Sequence, residues 1–412
     1  MTVQVPYPLP ARQDITTTRP LERDYVELDK EYGGLVHGAF PFGGVGWMAI
    51  SYEDVKSVLS DPRFGLEIAE QMGDYPRIRF VEVGPPFPFS FPHMDPPRHT
   101  KKRNHLMRHL TVKRVQGHRP HTRDVVESFL DEIDASGIDT VDLSGAYARR
   151  VPLRVLSDLL GVPVEEHYRF VDAAYFIANG KATTLEEAEQ ALGQMLEYFR
   201  ELVARRRAEP KDDLISVLAN DPETLEVWSE DELDAAGSLL LLAGHDATAS
   251  TLGGILEWLA HSPELYARLR SEPEKFPAYL EEFLRFIPAG LAGTRSRIAL
   301  EDVMVGSQLV RKGEAVLPIV HAANFDYRAF QNPLELDLEA QRENLHVGFG
   351  YGPHGCLGMQ LARMEIDEAI RAVMRRYSSI ESLDPHEDWD DRRLLRGPES
   401  ILVKLTRAAD NA

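Results

Sequence analysis

Residues 120–220 show mainly the apolar spacing of amphipathic helices, with apolar residues recurring on one face. Residues 35–40 and 47–50 depart from this spacing, because they flank a Gly-rich turn and are rich in residues that favour strands. We predict a β-hairpin over residues 34–50. The helices are predicted over 52–59, 153–160, 185–207 and 276–286, and a further strand over 315–319.

The longest helical pattern begins at Ser229, where Ser229 and Glu232 form a capping box, and continues to about Ala260. Its middle, residues 239–248, reads Leu-Leu-Leu-Leu-Ala-Gly-His-Asp-Ala-Thr. Small side chains share one side of this segment, which allows another helix or a flat ligand to approach closely. Helix packing is the simpler explanation of the pattern taken alone. The small residues are Ala243, Gly244 and Ala247.

The only cysteine, Cys356, follows a turn crowded with glycine and proline. Residues 349–358 read Phe-Gly-Tyr-Gly-Pro-His-Gly-Cys-Leu-Gly, and a helical pattern starts directly afterwards. Such a loop allows the backbone to approach a ligand closely. The free N–H groups and positive dipole at a helix start favour a thiolate, which is a nucleophile or a metal ligand. Without this context, a lone cysteine is more often a small core residue.

The composition is typical of a globular protein, with 412 residues of which 43% are hydrophobic and 27% charged. No repeat or linker interrupts the chain, which predicts one domain over 1–412. The net charge of −20 argues against nucleic acid as a partner. A single cysteine cannot form an intramolecular disulfide and suits a reducing cytoplasm. Residues 1–19 lack the apolar core of a signal peptide or anchor, and the apolar run 239–244 is too short to span a bilayer, so we expect no membrane segment.

One basic stretch stands out in this acidic chain. Residues 98–114 contain seven Lys or Arg and no Asp or Glu. Within it, His99 and Arg103 lie four positions apart and therefore share one face of a helix. A solvated helix face and a binding surface for an acidic partner both account for the pattern. The residues of the candidate binding surface are Lys101, Lys102, Arg108, Lys113 and Arg114.

The loop around Cys356 resembles the haem-binding loop of the cytochrome P450 family, in which the cysteine thiolate is the axial ligand of the haem iron. Two other family motifs occur in order: Ala-Gly-x-(Asp or Glu), here ending at Asp246, and Glu-x-x-Arg, here Glu282 and Arg285. The resemblance covers roughly residues 34–405. It implies a mainly helical cytochrome P450 fold with small β-sheets, and a haem b held between the long central helix and the helix after Cys356.

The resemblance also implies further contacts. The haem propionates would be held by His99, Arg103, Arg297 and His354, and the ring would lie against Ala243, Gly244 and Phe349. Considered as isolated residues, Arg297 is more simply a surface strand residue and His354 a structural hydrogen-bonding residue. Glu282 and Arg285 would form a buried structural ion pair. The usual third partner of that pair aligns with Ala340, and Arg342, two residues on, is the candidate to replace it; the sequence leaves this open.

One position departs from the family motif. The residue after the acid is usually Thr, whose hydroxyl helps to deliver protons during oxygen activation, and here it is Ala247. Water, Thr248 or an O–H or N–H group of the substrate would replace it, or the reaction is coupling or desaturation rather than oxygen insertion. Asp246 and Thr248 are the candidate catalytic residues. Substrate contacts are predicted at Phe87, Phe89, Leu240, Ala247, Leu291, Thr294 and Ile401.

The resemblance therefore predicts an enzyme, a haem-thiolate monooxygenase or oxidase of natural-product biosynthesis that uses O₂ to hydroxylate or couple a small organic substrate. Electrons would come from NAD(P)H through a ferredoxin reductase and a ferredoxin, which would dock on the basic stretch. We expect a cytoplasmic monomer. The alternative is a haem-thiolate protein that binds or senses a ligand without turnover. A cysteine hydrolase is a third hypothesis, for which no convincing Cys-His-Asp order is present.

Overall fold

The computed structural model describes residues 3–4, 20–39, 44–67, 91–169, 185–287, 296–340, 342–384 and 397–409. Helices dominate these residues. They are α1 (Pro20–Tyr32), α2 (Tyr52–Ser60), α3 (Arg98–Met107), α4 (Val112–Ala135), α5 (Arg150–Leu160), α6 (Leu185–Ala208), α7 (Leu214–Asn220), α8 (Pro222–Val227), α9 (Glu230–Ala260), α10 (Pro263–Ser271), α11 (Phe276–Phe286), α12 (Val320–Ala323) and α13 (Met359–Arg376).

The described strands form three small sheets, so that the expected mainly helical fold with small β-sheets is confirmed. The strands are β1 (Val3–Gln4), β2 (Leu35–Ala39), β3 (Val45–Ala49), β4 (Phe64–Gly65), β5 (Thr140–Asp142), β6 (Arg297–Ala299), β7 (Val303–Val305), β8 (Gln308–Val310), β9 (Ala315–Pro318), β10 (Tyr377–Ser382) and β11 (Leu402–Arg407). The sheets have the orders β1-β2-β3-β9-β6-β4, β10-β11-β5 and β7-β8. The antiparallel pair β2–β3 is the predicted hairpin.

Local sequence signals set several helix ends. The Ser51 hydroxyl accepts a hydrogen bond from the backbone N–H of Asp54 and caps α2. The predicted capping box at Ser229 and Glu232 is present at the start of α9. Helix α5 ends at Gly161 in the left-handed region, with φ +83°, and a Cβ added there would lie 2.2 Å from the Asp213 carboxyl group. Glycine at this helix end is therefore required by both conformation and space.

Helix α9 runs through the main hydrophobic core, where α5, α6 and α13 pack against it. Its length and composition alone would allow it to cross a membrane, but 61% of its most apolar 18-residue window is buried inside the protein. Core packing therefore accounts for its apolar character. The same packing places the centre of α9 next to the helix that follows Cys356.

Candidate functional site

The loop before Cys356 is held against α2 by a close backbone approach. Gly352 has φ +70°, and a Cβ added to it would lie 2.6 Å from the carbonyl oxygen of Leu59 at the end of α2. The loop then closes on itself, because the backbone N–H of Cys356 donates to the carbonyl of Phe349 over 2.7 Å. The glycine-rich sequence thus fixes the position of the thiol, as the pattern predicts.

The surroundings of the Cys356 thiol oppose its ionisation. Burial raises the pKa of this thiol, while a hydrogen bond from the Gly358 backbone and the charges of Arg103 and Arg363 act in the opposite direction without reversing the shift. Helix α13 begins at Met359. The backbone N–H group just before this helix favours the thiolate, as expected, but burial outweighs it. A metal ion bound to the sulfur would supply the missing positive charge.

Arg363 is a neighbour of the thiol that the sequence analysis missed. Its guanidinium carbon lies 4.5 Å from the centre of the Phe349 ring, and the group pairs with Glu281 over 2.6 Å. The Glu281 carboxylate also lies 3.1 Å from His346. These contacts hold the Phe349 ring at the base of the loop. Only the position of Arg363 in the early turns of the helix after Cys356 could have indicated this role.

The four predicted propionate ligands form one basic cluster beside Cys356, in which His99 and Arg297 are buried and Arg103 and His354 are half-buried. The rings of His99 and His354 stack with their centroids 3.9 Å apart. Burial lowers the pKa of His99 to about 4, and Arg103 and Arg297 add to this effect. Burial also lowers the pKa of Arg297 to about 10. Arg297 lies in β6 and is 3% exposed, so the simpler interpretation as a surface strand residue is wrong.

This cluster fits an anionic group. The Nδ1 atoms of His99 and His354 are buried and have no hydrogen-bond partner. No carboxylate among the described residues forms an ion pair with Arg103, whose pKa is lowered by burial. Buried polar groups of this kind require a partner. Two carboxylates of a haem would satisfy them, while the Cys356 thiolate would bind the iron.

One stripe of the central helix is accessible although most of α9 is buried. Ala243 is exposed, and Leu240, Gly244 and Ala247 are half-buried along the same stripe. Ala243 therefore lies where the sequence predicts a haem contact. Gly244 has a second role that the sequence analysis did not assign to it, because a Cβ added there would lie 2.7 Å from Cδ2 of Leu156 in α5. The absence of a side chain at this position serves helix packing.

The acid of the motif is buried beside a histidine. Asp246 is 9% exposed, and its Oδ1 lies 3.3 Å from Nδ1 of His245. The Nε2 atom of His245 lies 3.0 Å from the carbonyl oxygen of Arg149. The sequence analysis gave no role to His245, since the motif leaves that position open.

The hydroxyls of the two threonines that follow the acid donate to backbone carbonyls of the same helix. The Thr248 hydroxyl donates to the carbonyl of Gly244 over 3.0 Å, and the Thr251 hydroxyl donates to the carbonyl of Ala247 over 3.0 Å. Each contact occupies the only hydroxyl proton of the side chain. Thr248 therefore directs its hydroxyl proton to the helix backbone, and its role as a catalytic residue stays a prediction.

The structural ion-pair cluster contains the candidate replacement. Arg285, which is 1% exposed, donates to Glu282 over 2.7 and 2.9 Å. Arg342 donates to the same carboxylate over 2.8 and 3.2 Å, so the substitution of Arg342 for a residue at Ala340 is confirmed. Arg285 also donates to the Asn324, Pro333 and Glu335 carbonyls. The cluster ties α11 to the segment before the Cys356 loop.

The basic stretch is only partly a surface. Lys102 is 6% exposed, and its ammonium donates to the Val227 carbonyl over 2.8 Å and to Glu232 over 2.6 Å. Lys101 donates to the Glu226 carbonyl, and Arg108 pairs with Glu223. The inclusion of Lys102 in an exposed patch is therefore wrong, because its charge is used inside the protein. Lys113 and Arg114 remain exposed.

The predicted substrate contacts are only partly described. Phe87, Phe89, Leu291 and Thr294 lie outside the described residues. Ile401 is 4% exposed, and a Cβ added to Gly253 of α9 would lie 3.7 Å from its Cδ1. Its side chain belongs to the main core, which argues against a direct substrate contact. Leu240 and Ala247 lie on the accessible stripe.

Comparison with known proteins agrees with this site. A family model described as Cytochrome P450 matches residues 154–405. Nocardicin C N-oxygenase of Nocardia uniformis subsp. tsuyamanensis is 41% identical over 88% of this chain and 90% of its own length.

Two solved structures are also similar. The LnmA cytochrome P450 hydroxylase of the leinamycin pathway from Streptomyces atroolivaceus has 35% identity and a TM-score of 0.86, with 97% of this chain and 100% of that chain covered. A cytochrome P450mel with biaryl coupling reactivity has 31% identity and a TM-score of 0.84, with 92% and 95% covered.

Proposed function

Because this chain belongs to the cytochrome P450 family and is a P450 monooxygenase, we propose that it oxidises a natural product whose own O–H or N–H group replaces the missing threonine hydroxyl. The observation that carries this proposal is Ala247 on the accessible stripe, with the hydroxyls of Thr248 and Thr251 both donated to helix carbonyls. In this proposal a hydrogen-bond donor is needed beside Ala247, and the two threonines that follow it in α9 donate their protons to helix carbonyls instead.

The residues have separate roles in this proposal. The haem supplies the activation of O₂. Cys356 would bind its iron, and the basic cluster of His99, Arg103, Arg297 and His354 would hold its propionates. Asp246 would give and take a proton at its carboxylate. The accessible stripe at Ala243 and Ala247 would hold the substrate close to the ring.

The reaction is proposed to be a hydroxylation, an N-oxidation or an oxidative coupling. The nocardicin C relative is an N-oxygenase, the leinamycin-pathway protein a hydroxylase and the third protein has biaryl coupling reactivity. All three outcomes begin with oxidation of a bound organic molecule, and they differ in whether an oxygen atom remains in the product.

Electrons are proposed to come from NAD(P)H through a ferredoxin reductase and a ferredoxin. A donor has to come close to the Cys356 loop, where Tyr351, Gly352 and Pro353 are exposed. Within the predicted basic patch, Lys102 and Arg108 form ion pairs with Glu232 and Glu223, whereas Lys113 and Arg114 are exposed and form no ion pair among the described residues. We therefore expect the charges of Lys113 and Arg114 to attract an acidic donor. We expect the enzyme to act as a monomer in the cytoplasm.

An optical titration tests the ligand and the cofactor together. Purified enzyme is titrated with nocardicin C, a macrolide, a terpene, a fatty acid and an aromatic cyclic dipeptide, and the Soret band is recorded. A shift to high spin identifies the substrate class, and labelled O₂ then separates oxygen insertion from coupling. A wild-type protein without a haem spectrum, or a Cys356→Ser variant that keeps the thiolate spectrum, would refute the site.

The variant Ala247→Thr tests substrate assistance. If the substrate occupies this place with its own donor group, the added side chain weakens the high-spin shift and lowers the fraction of NAD(P)H that ends in product. The matched control is Ala249→Thr, at a buried position off the stripe. Better coupling in Ala247→Thr would show that no substrate group fills the role.

A further inference from the structure

Two titratable side chains lie side by side in the buried middle of α9. His245 is 7% exposed and Asp246 is 9% exposed. The Nε2 atom of His245 lies 3.0 Å from the Arg149 carbonyl oxygen, and its Nδ1 atom lies 3.3 Å from Oδ1 of Asp246. The ring therefore has a polar neighbour at each nitrogen: the Arg149 carbonyl just before α5 at Nε2, and the Asp246 carboxylate at Nδ1.

The chemistry of these neighbours fixes the proton count. A carbonyl oxygen only accepts hydrogen bonds, so Nε2 must carry a proton. A neutral ring in that tautomer presents a lone pair at Nδ1, and an ionised Asp246 presents another at Oδ1. Two lone pairs 3.3 Å apart in a buried place repel each other. One proton between the two atoms turns this repulsion into attraction.

We propose that His245 is a positioning residue for Asp246 and that the two side chains share one proton between Nδ1 and Oδ1. The inference rests on the proposed function, because it gives Asp246, the acid of α9, a defined partner and a defined proton. The pair releases this proton in turnover and regains one from water, so that its charge is the same at the end of each cycle. No electron is exchanged.

Arg149 connects this pair to the turn at residues 397–400. Its guanidinium donates to the Glu399 carbonyl over 3.0 Å, while its own carbonyl faces His245. That turn lies close to α9, since a Cβ added to Gly397 would be 2.8 Å from Cα of Ser250. The residue that orients His245 is thus itself fixed by a neighbouring segment, which gives the ring a single orientation.

The test is NMR of holoenzyme that carries nitrogen-labelled histidine, in the diamagnetic carbon monoxide complex of the reduced protein. The ring nitrogens report directly whether each atom bears a proton. We expect Nε2 of His245 to be protonated and Nδ1 to resonate between the values of a protonated nitrogen and a bare lone pair. Asp246→Asn should move Nδ1 to the bare value.

Two variants complete the design. His245→Gln assigns the signals and keeps an amide donor for the Arg149 carbonyl. His261→Gln is the matched control, because His261 caps the same helix and its Nδ1 lies 3.0 Å from the Glu257 carbonyl. A bare Nδ1 in the wild type, unchanged in Asp246→Asn, would overturn the proposal. This measurement needs neither substrate nor turnover, so its result is independent of whether the proposed reaction is correct.

Discussion

The imidazole rings of His99 and His354 stack with their centroids 3.9 Å apart and their planes 25° apart, although one begins α3 and the other precedes Cys356. Burial, followed by the charges of His99, Arg297 and Arg103, lowers the pKa of His354 to about 3. Both rings therefore remain neutral at pH 7, and each keeps a nitrogen for a haem propionate.

The first prediction concerns acid stability without haem. A histidine with a lowered folded-state pKa disfavours protonation in the native protein, so stability is complete above pH 6.5 and falls as the pH approaches the folded-state values of about 4 and 3. Denaturant unfolding of haem-free protein at a series of pH values measures the loss. Bound propionates stabilise the charged rings, so the holoenzyme should lose less over the same interval.

The matched variants for this experiment are His99→Asn with His354→Asn, and His121→Gln as a control. The double variant should flatten the acid slope of the haem-free protein. His121 is exposed and lies 2.8 Å from Asp158, so its replacement should leave the slope in place. An unchanged slope in the double variant would show that other groups cause the acid sensitivity.

The second prediction is that Arg297→Gln weakens haem retention. A charged hydrogen bond contributes about 1.5–3 kcal/mol, so we expect haem loss to be faster by about tenfold or more. Transfer of haem to excess apomyoglobin measures the rate. Arg98→Gln provides the control, because Arg98 is 62% exposed and pairs with Glu67 at the surface. Equal rates in the two variants would remove Arg297 from the propionate site.

The third prediction concerns the Glu282 cluster. Glu282→Gln leaves Arg285 charged and buried, which should lower the free energy of unfolding by about 3–5 kcal/mol. Denaturant unfolding of the holoenzyme measures it. Arg311→Ala removes an exposed pair with Asp302 and should have little effect. If Glu282→Gln were as mild as Arg311→Ala, the cluster would not be a major structural support.

The fourth prediction separates the two roles within the basic stretch. Lys102→Gln should lower the stability of the protein, because it leaves the half-buried Glu232 carboxylate without its cation. Lys113→Gln should leave stability unchanged and weaken the ionic-strength dependence of the electron-transfer rate from ferredoxin. Stopped-flow reduction at several salt concentrations, together with unfolding, measures both effects. A reversal of the two outcomes would restore Lys102 to the docking surface.

Much of the fold could be predicted from the sequence because its signals are local. The hairpin at 35–50, the Ser51 cap and the Ser229–Glu232 capping box depend on neighbouring residues only. The sequence also offered Arg342 as a candidate second cation for the buried Glu282, and the structure shows that the two side chains pair.

The sequence could not predict which residues from distant parts of the chain contact a given side chain. Lys102 reads as a surface charge until α8 and the start of α9 are placed against it. Gly244 reads as room for a ligand until Leu156 of α5 is seen behind it. The sequence offers Thr248 as a proton donor for the reaction, and the structure shows its hydroxyl donating to the Gly244 carbonyl. Sequence spacing gives the face of a helix, but tertiary packing decides what that face meets.

The Lys102–Glu232 ion pair makes α3 and α9 parts of a single frame. In α3, Lys102 stands three residues after His99 and directly before Arg103, and Glu232 belongs to the capping box of α9. A displacement of the start of α9 relative to α3 would therefore break this ion pair. The helix that carries two of the predicted propionate residues is thus coupled in its movement to the helix that carries Asp246.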